Sequence, residues 1–421
     1  MNPRPNIAVK EAKIGRVATK VCNVAHDPAA SRNMVAGLLD IPPEIQLQIA
    51  ELMETGQTLK ALSVTCRSLH SIAQSLLFET FRIDLGMPLR GSIDDLLANQ
   101  QICAAIRDLE VGRLSSLIPH NNNEQLSLIQ QLLPKLVRLR RVLIYQVHLS
   151  KAFMASFLEI AAKIPLEVML IGNIYQSDIS TMTSAPLRIS HLHLGSSINQ
   201  PSLNFYRTVV RASAATLTEL YVRADGDGLM YLANIDLPYL HTFNLLIIID
   251  SELVRKSAAA FITVQKTIRV LDLDQNVCPL PPLPPSALPD LQELRGSAEM
   301  VKQLVPGRPV EVIEVFLSGW SDQDWFGEEV ARSTAAVRKL RVHLNTALRE
   351  TPMVKRMVVI LPSLESLWLS VYDDVSGPFT RDPLDSFPFR HSSKLSKLSK
   401  FSLLSSASQS YELVCIFAKH G

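Results

Sequence analysis

The chain has 421 residues, 47% of them hydrophobic and 19% charged, with 42 basic and 40 acidic side chains. This balance lacks the basic excess typical of a nucleic-acid-binding protein, and the longest apolar run, near Leu245 to Ile249, is too short to cross a bilayer. The five cysteines form no C-x-x-C pair, which argues against zinc modules and disulfides and favours a reducing compartment. We expect an intracellular protein, cytoplasmic or nuclear, that binds neither nucleic acid nor membranes.

Residues 1 to 36 carry six basic and two acidic side chains and have no sustained hydrophobic period. Such a segment has little apolar surface to bury, so we predict a disordered tail. A mitochondrial presequence is the alternative, because those segments are also basic and poor in acids.

Residues 37 to 84 are predicted to form a module of three short helices. Pro42 and Pro43 suit a helix start, since proline fixes φ and needs no hydrogen-bond donor there. Thr58 is predicted to cap the second helix, and the third starts at Ser68. A helical module of this size has a thin core and gains stability from a partner.

Residues 85 to 421 repeat the template apolar-x-x-apolar-x-apolar in about twelve irregular copies. The copies begin between Ile106 and Leu398 and are about 26.5 residues apart on average, within the range of leucine-rich repeats. The weakest copy, Leu291/Leu294, has Gly296 at its third position. The other triplets begin at Ile106, Leu139, Leu166, Ile189, Leu217, Leu240, Ile268, Val312, Val337, Leu364 and Leu398.

Each repeat is predicted to lay down one short strand whose alternate residues point inward. One unit cannot bury its own apolar face, whereas stacked neighbours can. The expected fold class is therefore α/β: a small N-terminal three-helix module followed by an irregular solenoid of horseshoe shape. A compact α/β domain is the alternative. The segment from Pro279 to Pro289, PLPPLPPSALP, is predicted to be a stiff loop between two repeat strands, with an SH3-type ligand as the other interpretation.

Residues 39 to 83 resemble the F-box. The resemblance is carried by an Ile41-Pro42 pair, by Pro43-Glu44-Ile45 leading into a first helix, by a central Leu62, Val64 and Cys66-Arg67, and by a closing Leu76-Leu77-Phe78. An F-box followed by leucine-rich repeats is a known combination for this family.

The resemblance implies a non-catalytic subunit of a cullin–RING ubiquitin ligase, in which the F-box binds the adaptor Skp1 and the repeats bind a target protein. Other subunits of the ligase would transfer the ubiquitin. The Skp1-binding residues that the resemblance implies are Ile41, Pro42, Pro43, Ile45, Ile49, Leu52, Leu59, Leu62, Cys66 and Leu69.

The target-binding surface is expected on the concave face of the repeats, where residues between the inward positions are exposed. Aromatic and arginine side chains carry most of the energy of protein interfaces, so Tyr221 and Trp368 are the preferred anchors. The candidate residues are His191, His193, Tyr221, Arg223, Asp272, Asp274, Arg341, His343 and Trp368.

Motifs that mark catalysis are missing from the sequence. It contains no G-x-x-x-x-G-K-[ST] phosphate loop and no G-x-S-x-G nucleophile elbow. The His191-x-His193 pair has no third metal ligand nearby. We therefore expect no catalytic residue, no metal and no cofactor. Two alternatives remain: a free-standing repeat scaffold without ligase association, and an enzyme on an α/β fold.

Overall fold

The computed structural model describes residues 41–53, 56–65, 67–85, 96–112, 123–145, 151–172, 185–195, 200–249, 251–273, 279–317, 327–344, 360–371 and 400–405. These residues fall into two compact units. Residues 41–82, 96–108 and 135–138 belong to the first, and the remaining described residues belong to the second. No helix in these ranges is both long and apolar enough to span a membrane.

The first unit contains four short helices: α1 (Pro43–Glu51), α2 (Gly56–Ser63), α3 (Arg67–Leu77) and α4 (Gln100–Ala105). Helix α1 starts at a proline, as predicted, since the first turn needs no backbone donor there. Helix α2 starts at Gly56, so Thr58 lies inside it and is not the predicted cap. The small core of α1 to α3 is formed by Ala50, Leu59, Leu62, Leu69 and Ala73.

In the part of the chain that the structure describes, thirteen strands form one sheet in which strand neighbours follow the chain order from first to last. Every pairing from the third strand to the thirteenth is parallel. The strands are β1 (Thr80–Asp84), β2 (Asp108–Gly112), β3 (Arg141–Tyr145), β4 (Leu166–Gly172), β5 (Ile189–Leu194), β6 (Glu219–Asp225), β7 (Thr242–Ile249), β8 (Val270–Leu273), β9 (Glu293–Ser297), β10 (Val312–Leu317), β11 (Lys339–Leu344), β12 (Ser366–Val371) and β13 (Lys400–Ser405).

Each pair of parallel neighbours needs a connection that crosses back along the sheet, and such crossovers are right-handed in nearly all proteins. Successive crossovers of the same hand wind the chain in one direction. The second unit is therefore an α/β, solenoid-like array. Within the described ranges the strand order never reverses. The described strands therefore form no topological switch point.

The connections of the second unit contain helices that lie on one face of the sheet. Phe243 of β7 points to this face, and its ring centroid is 4.9 Å from that of Phe261. The side-chain oxygen of Ser251 accepts a hydrogen bond from the backbone N–H of Val254 and caps the N-terminus of the helix that carries Phe261. The helices are α5 (Asn123–Leu132), α6 (Lys151–Lys163), α7 (Gln200–Ser213), α8 (Glu252–Val264) and α9 (Ala298–Leu304), with 3₁₀ turns at Leu133–Lys135 and Gly226–Leu232.

The apolar positions of the repeats form buried rows that run from strand to strand. Leu220 pairs in register with Phe243, and Phe243 pairs with Leu271. All three side chains are fully buried. Because alternate residues of a strand share one face, this register turns the other row of side chains away from the helices.

Two repeats differ in detail from the predicted pattern. Gly296 lies in a complete strand, where a Cβ would make only ordinary contacts, the nearest at 3.4 Å from the Cβ of Met300, so the missing apolar side chain does not interrupt the repeat. In β10 the predicted triplet began at Val312, and this was wrong by two residues. Val310 and Ile313 are the buried anchors, and Ile313 pairs in register with Leu340.

Candidate functional site

We call the sheet face that points away from the helices the open face. Its residues alternate with the buried rows, and the pairing register places them side by side on neighbouring strands. The central row of the open face, from β5 to β12, is His193, Tyr221, Asn244, Asp272, Arg295, Glu314, Arg341 and Trp368.

The β5–β6 part of the open face holds an aromatic pair. The rings of His193 and Tyr221 stack with centroids 5.5 Å apart. Burial lowers the pKa of His193 from its ordinary 6.5, and nearby His191 and Arg141 lower it further, against the opposing charge of Glu219. The imidazole and the phenol ring form a flat aromatic pair, and the charged side chains of Glu219 and Arg223 lie on either side of Tyr221 on the same face of β6.

The β9–β12 part of the open face is built around the carboxylate of Glu314. Arg341 Nη1 lies 2.8 Å from Glu314 Oε2, and His343 Nε2 donates to Glu314 Oε1 at 2.8 Å. Arg295 Nε lies 3.5 Å from the same Oε1 and Nη1 of Arg295 is 3.5 Å from Asp272 Oδ2. We call these five side chains, together with Phe316 and Trp368, the Glu314 cluster.

Aromatic rings support both arginines of the cluster. The guanidinium carbon of Arg341 lies 4.6 Å from the ring centroid of Trp368, and that of Arg295 lies 5.6 Å from the ring of Phe316. Phe316 also stacks on His343, with centroids 4.4 Å apart. Guanidinium groups stack well on aromatic faces, so each arginine is held between a carboxylate and a ring.

The acidic side chain at the centre of the cluster is less exposed than the two arginine side chains around it. The Glu314 side chain is 15% exposed, while those of Arg295 and Arg341 are 45% and 43% exposed. Burial raises the pKa of Glu314, but the hydrogen bond from His343 and the positive charges of Arg295 and Arg341 outweigh burial and hold that pKa below its ordinary 4.5. Glu314 is therefore ionised at neutral pH, beneath two half-exposed cations.

Replacing Glu314 by Gln is expected to lower the free energy of unfolding at neutral pH by about 1–2 kcal/mol, because the charge-assisted bonds are lost. The folded-state pKa is below 4.5, so this contribution is present above 4.5 and is lost as pH falls through the folded-state value. Urea unfolding of parent and variant at a series of pH values measures it. A difference between the two that grows on acidification would contradict the assignment.

The structure brings the predicted target-binding residues into two groups. His191, His193 and Tyr221 lie together on β5 and β6, where His191 Nε2 is 3.8 Å from Glu219. Asp272, Arg341, His343 and Trp368 belong to the Glu314 cluster. Arg223 is exposed on β6, and Asp274 lies outside the described residues.

Three members of the cluster escaped the sequence analysis: Arg295, Glu314 and Phe316. Arg295 precedes Gly296 in the weakest repeat copy, and the two-residue error in β10 put Phe316, not Glu314, in the central position. Applying the template with Ile313 and Val315 as anchors would have placed Glu314 in the same row as Arg341.

The predicted Skp1-binding residues separate by exposure. Ile45 and Leu52 are 42% and 67% exposed. Pro42 and Pro43 are exposed, and Ile41 and Ile49 are half-buried. In contrast, the core residues Leu59, Leu62 and Leu69 are buried, and Cys66 lies outside the described residues.

No family model matches the chain, and no curated protein matches it either. Across the part of the chain that the structure describes, no three His, Cys, Asp or Glu side chains are grouped so as to hold a metal ion.

Proposed function

We propose that the chain is a substrate-recognition adaptor of an SCF-type cullin–RING ubiquitin ligase, with an F-box-like module that docks on Skp1 and leucine-rich repeats that bind a target protein. The observation that carries the proposal is the orientation of helix α1, which turns apolar side chains outward. The resemblance of residues 39 to 83 to the F-box names the partner.

Helix α1 is inverted relative to an ordinary amphipathic surface helix. It buries Gln46 and Ala50, while Ile45 and Leu52 are exposed and Ile49 is half-buried. Positions 45, 49 and 52 are spaced by four and three residues, so they form one stripe on the helix. An exposed apolar stripe on a small module marks an interaction surface.

The buried polar residue of α1 is held in place by hydrogen bonds. Gln46 Nε2 donates to the carbonyl oxygen of Ile41 at 2.9 Å, and Ser68 Oγ donates to Gln46 Oε1 at 3.3 Å. Burying an amide without partners would cost free energy, so these bonds stabilise the orientation that leaves the apolar stripe outside.

The repeats support the second half of the proposal. The central row of their open face, from β5 to β12, consists of polar and aromatic side chains. Stacked repeats in general use such extended surfaces to bind other proteins. Arg341 and Trp368 lie side by side there, and Tyr221 stacks on His193 nearer the β5 end. Aromatic and arginine side chains dominate the energy of interfaces.

The test is capture of purified Skp1 by the full chain and by a Leu52→Asp variant. Losing the Leu52 contact and placing a charge against an apolar partner should weaken capture at least about a hundredfold. Leu253→Asp is the matched control, because Leu253 is also an exposed leucine on a helix but lies on α8.

Capture by the parent and the control, with loss in Leu52→Asp, is the expected result. Failure of the parent to capture Skp1 at concentrations well above about a micromolar dissociation constant would overturn the proposal. A free-standing leucine-rich-repeat scaffold would then be the better hypothesis for the function of the chain.

A further inference from the structure

The Glu314 cluster presents positive charge to solvent at one end of the open face. Its carboxylate is largely covered, and both guanidinium groups are nearly half exposed. Lys339 adds an exposed cation on the same face of β11, two residues before Arg341. In register its neighbours are Val312 and Ser366, which carry no charge.

The two arginines converge although their strands are not adjacent. Arg295 on β9 and Arg341 on β11 are separated by β10, so their backbones are about 10 Å apart. Both side chains reach Glu314, which binds Arg341 through Oε2 and Arg295 through Oε1. A guanidinium has five N–H donors in a fixed fork, and these contacts use only a part of them.

The cluster holds the arginines before any ligand arrives. Arg341 lies over Trp368 and Arg295 lies over Phe316, so stacking restricts side chains that would otherwise lose much rotamer entropy on binding. The covered carboxylate of Glu314 orients the guanidinium groups of both arginines. Glu314 is in this respect a positioning residue, and the arginines are the groups that a ligand would touch.

We propose that the Glu314 cluster receives an anionic group, a carboxylate or a phosphate, from an extended segment of the target protein. Charge complementarity selects the occupant: the cations Arg295, Lys339 and Arg341 are exposed on this face. Of the acidic side chains there, Glu314 is covered, Asp272 is one-third exposed on β8, and Glu293 lies two residues before Arg295 on β9, away from Arg341. The inference rests on the proposed function only in taking the ligand to be a target protein.

The anion would be bound by forked hydrogen bonds from the guanidinium groups, which match the planar carboxylate and the phosphate oxygens. The Trp368 ring beside Arg341 offers an apolar contact for the residue next to the acidic one. His193 and Tyr221 lie four and three strands away from β9, so this aromatic pair is out of reach of a single anionic group held by Arg295 and Arg341.

The experiment uses the full chain and a positional peptide library in which one position at a time is fixed as glutamate, phosphoserine, lysine or serine. Pools with glutamate or phosphoserine at one position should bind about tenfold more strongly than the serine pool, and the lysine pool should bind least. A phosphoserine pool that exceeds the glutamate pool assigns the anion to phosphate, and equal pools assign it to carboxylate.

The double variant Arg295→Gln/Arg341→Gln should lose the preference for acidic pools. The matched control is Arg338→Gln: Arg338 Nε lies 3.7 Å from Glu311, a pair of the same kind, but the residue precedes β11 and is out of phase with the open-face row. The control should keep the preference. Glu314→Gln should weaken the preference for acidic pools without creating a preference for another pool, because the guanidinium groups of Arg295 and Arg341 lose the carboxylate that orients them both.

Equal binding of the lysine and acidic pools, or a preference that survives in the double variant, would overturn the inference. So would binding of no pool above serine. These failures are distinguishable from failure of the proposed function, because Skp1 capture depends on α1, and the double variant should capture Skp1 as the parent does.

Discussion

Replacing Arg308 by Met should lower the free energy of unfolding of the repeat array by about 3 kcal/mol, because several carbonyl oxygens lose a buried charged donor. Arg308 is 5% exposed. Its Nε donates to the carbonyl of Ala287 at 2.9 Å, and its Nη1 donates to that of Leu304 at 3.2 Å. Longer bonds reach Gln303, Pro306 and Pro284.

These bonds connect the end of α9 with the proline-rich segment between β8 and β9. Burial lowers the pKa of Arg308, but a guanidinium keeps its proton at neutral pH, so a cation stays inside the array and is satisfied by backbone carbonyls. Helix ends leave carbonyls without intrahelical partners, and a buried arginine at a C-terminus supplies donors for them.

Chemical unfolding followed by circular dichroism measures the effect of Arg308→Met. Arg332→Met is the matched control, since the Arg332 side chain is exposed and its ion pair with Glu329 is of the kind that contributes little. Arg308→Lys should also destabilise the array, because one ammonium cannot reach carbonyls on both sides. An Arg308→Met chain within about 0.5 kcal/mol of the parent would show that the bonds are not needed.

Leu69→Ala should open the helical module while the repeats stay folded. Leu69 is buried in the α1–α3 core, and truncating a buried leucine costs about 3 kcal/mol. A helical module of this size has only a few kcal/mol of stability to lose. The variant should therefore lose Skp1 capture through unfolding, unlike Leu52→Asp, which should lose it through the interface.

Hydrogen exchange over residues 43–77 separates the two mechanisms. Fast exchange is expected in Leu69→Ala and parent-like exchange in Leu52→Asp. Val64→Ala is the control, because Val64 is an exposed side chain of the same module. If Leu69→Ala kept parent-like protection across α1 to α3, the core assignment would be wrong.

The local sequence of the proline-rich segment predicts its place in the fold but not its contacts. A stiff loop between repeat strands was predicted, and the segment does lie between β8 and β9. Its attachment was not predictable: Leu280, Ala287 and Leu288 are buried, and Gln303 Nε2 donates to the carbonyl of Pro281 at 2.9 Å. A donor 22 residues away along the chain is invisible to composition. The interpretation as an SH3-type ligand stays a prediction, since Pro282, Pro284 and Pro285 are exposed.

The sequence by itself determined the repeating strands, because apolar residues at alternate positions must share a buried face, as Leu220, Phe243 and Leu271 do. It also determined the start of α1 at Pro43. The tertiary structure decided which polar residues meet. Arg295, Glu314 and Arg341 come from three repeats. The register of β10 places the carboxylate of Glu314 between the two arginines; a shift of two residues would place the ring of Phe316 there. A local template encodes the face of each side chain, but contacts between repeats depend on the register at which strands stack.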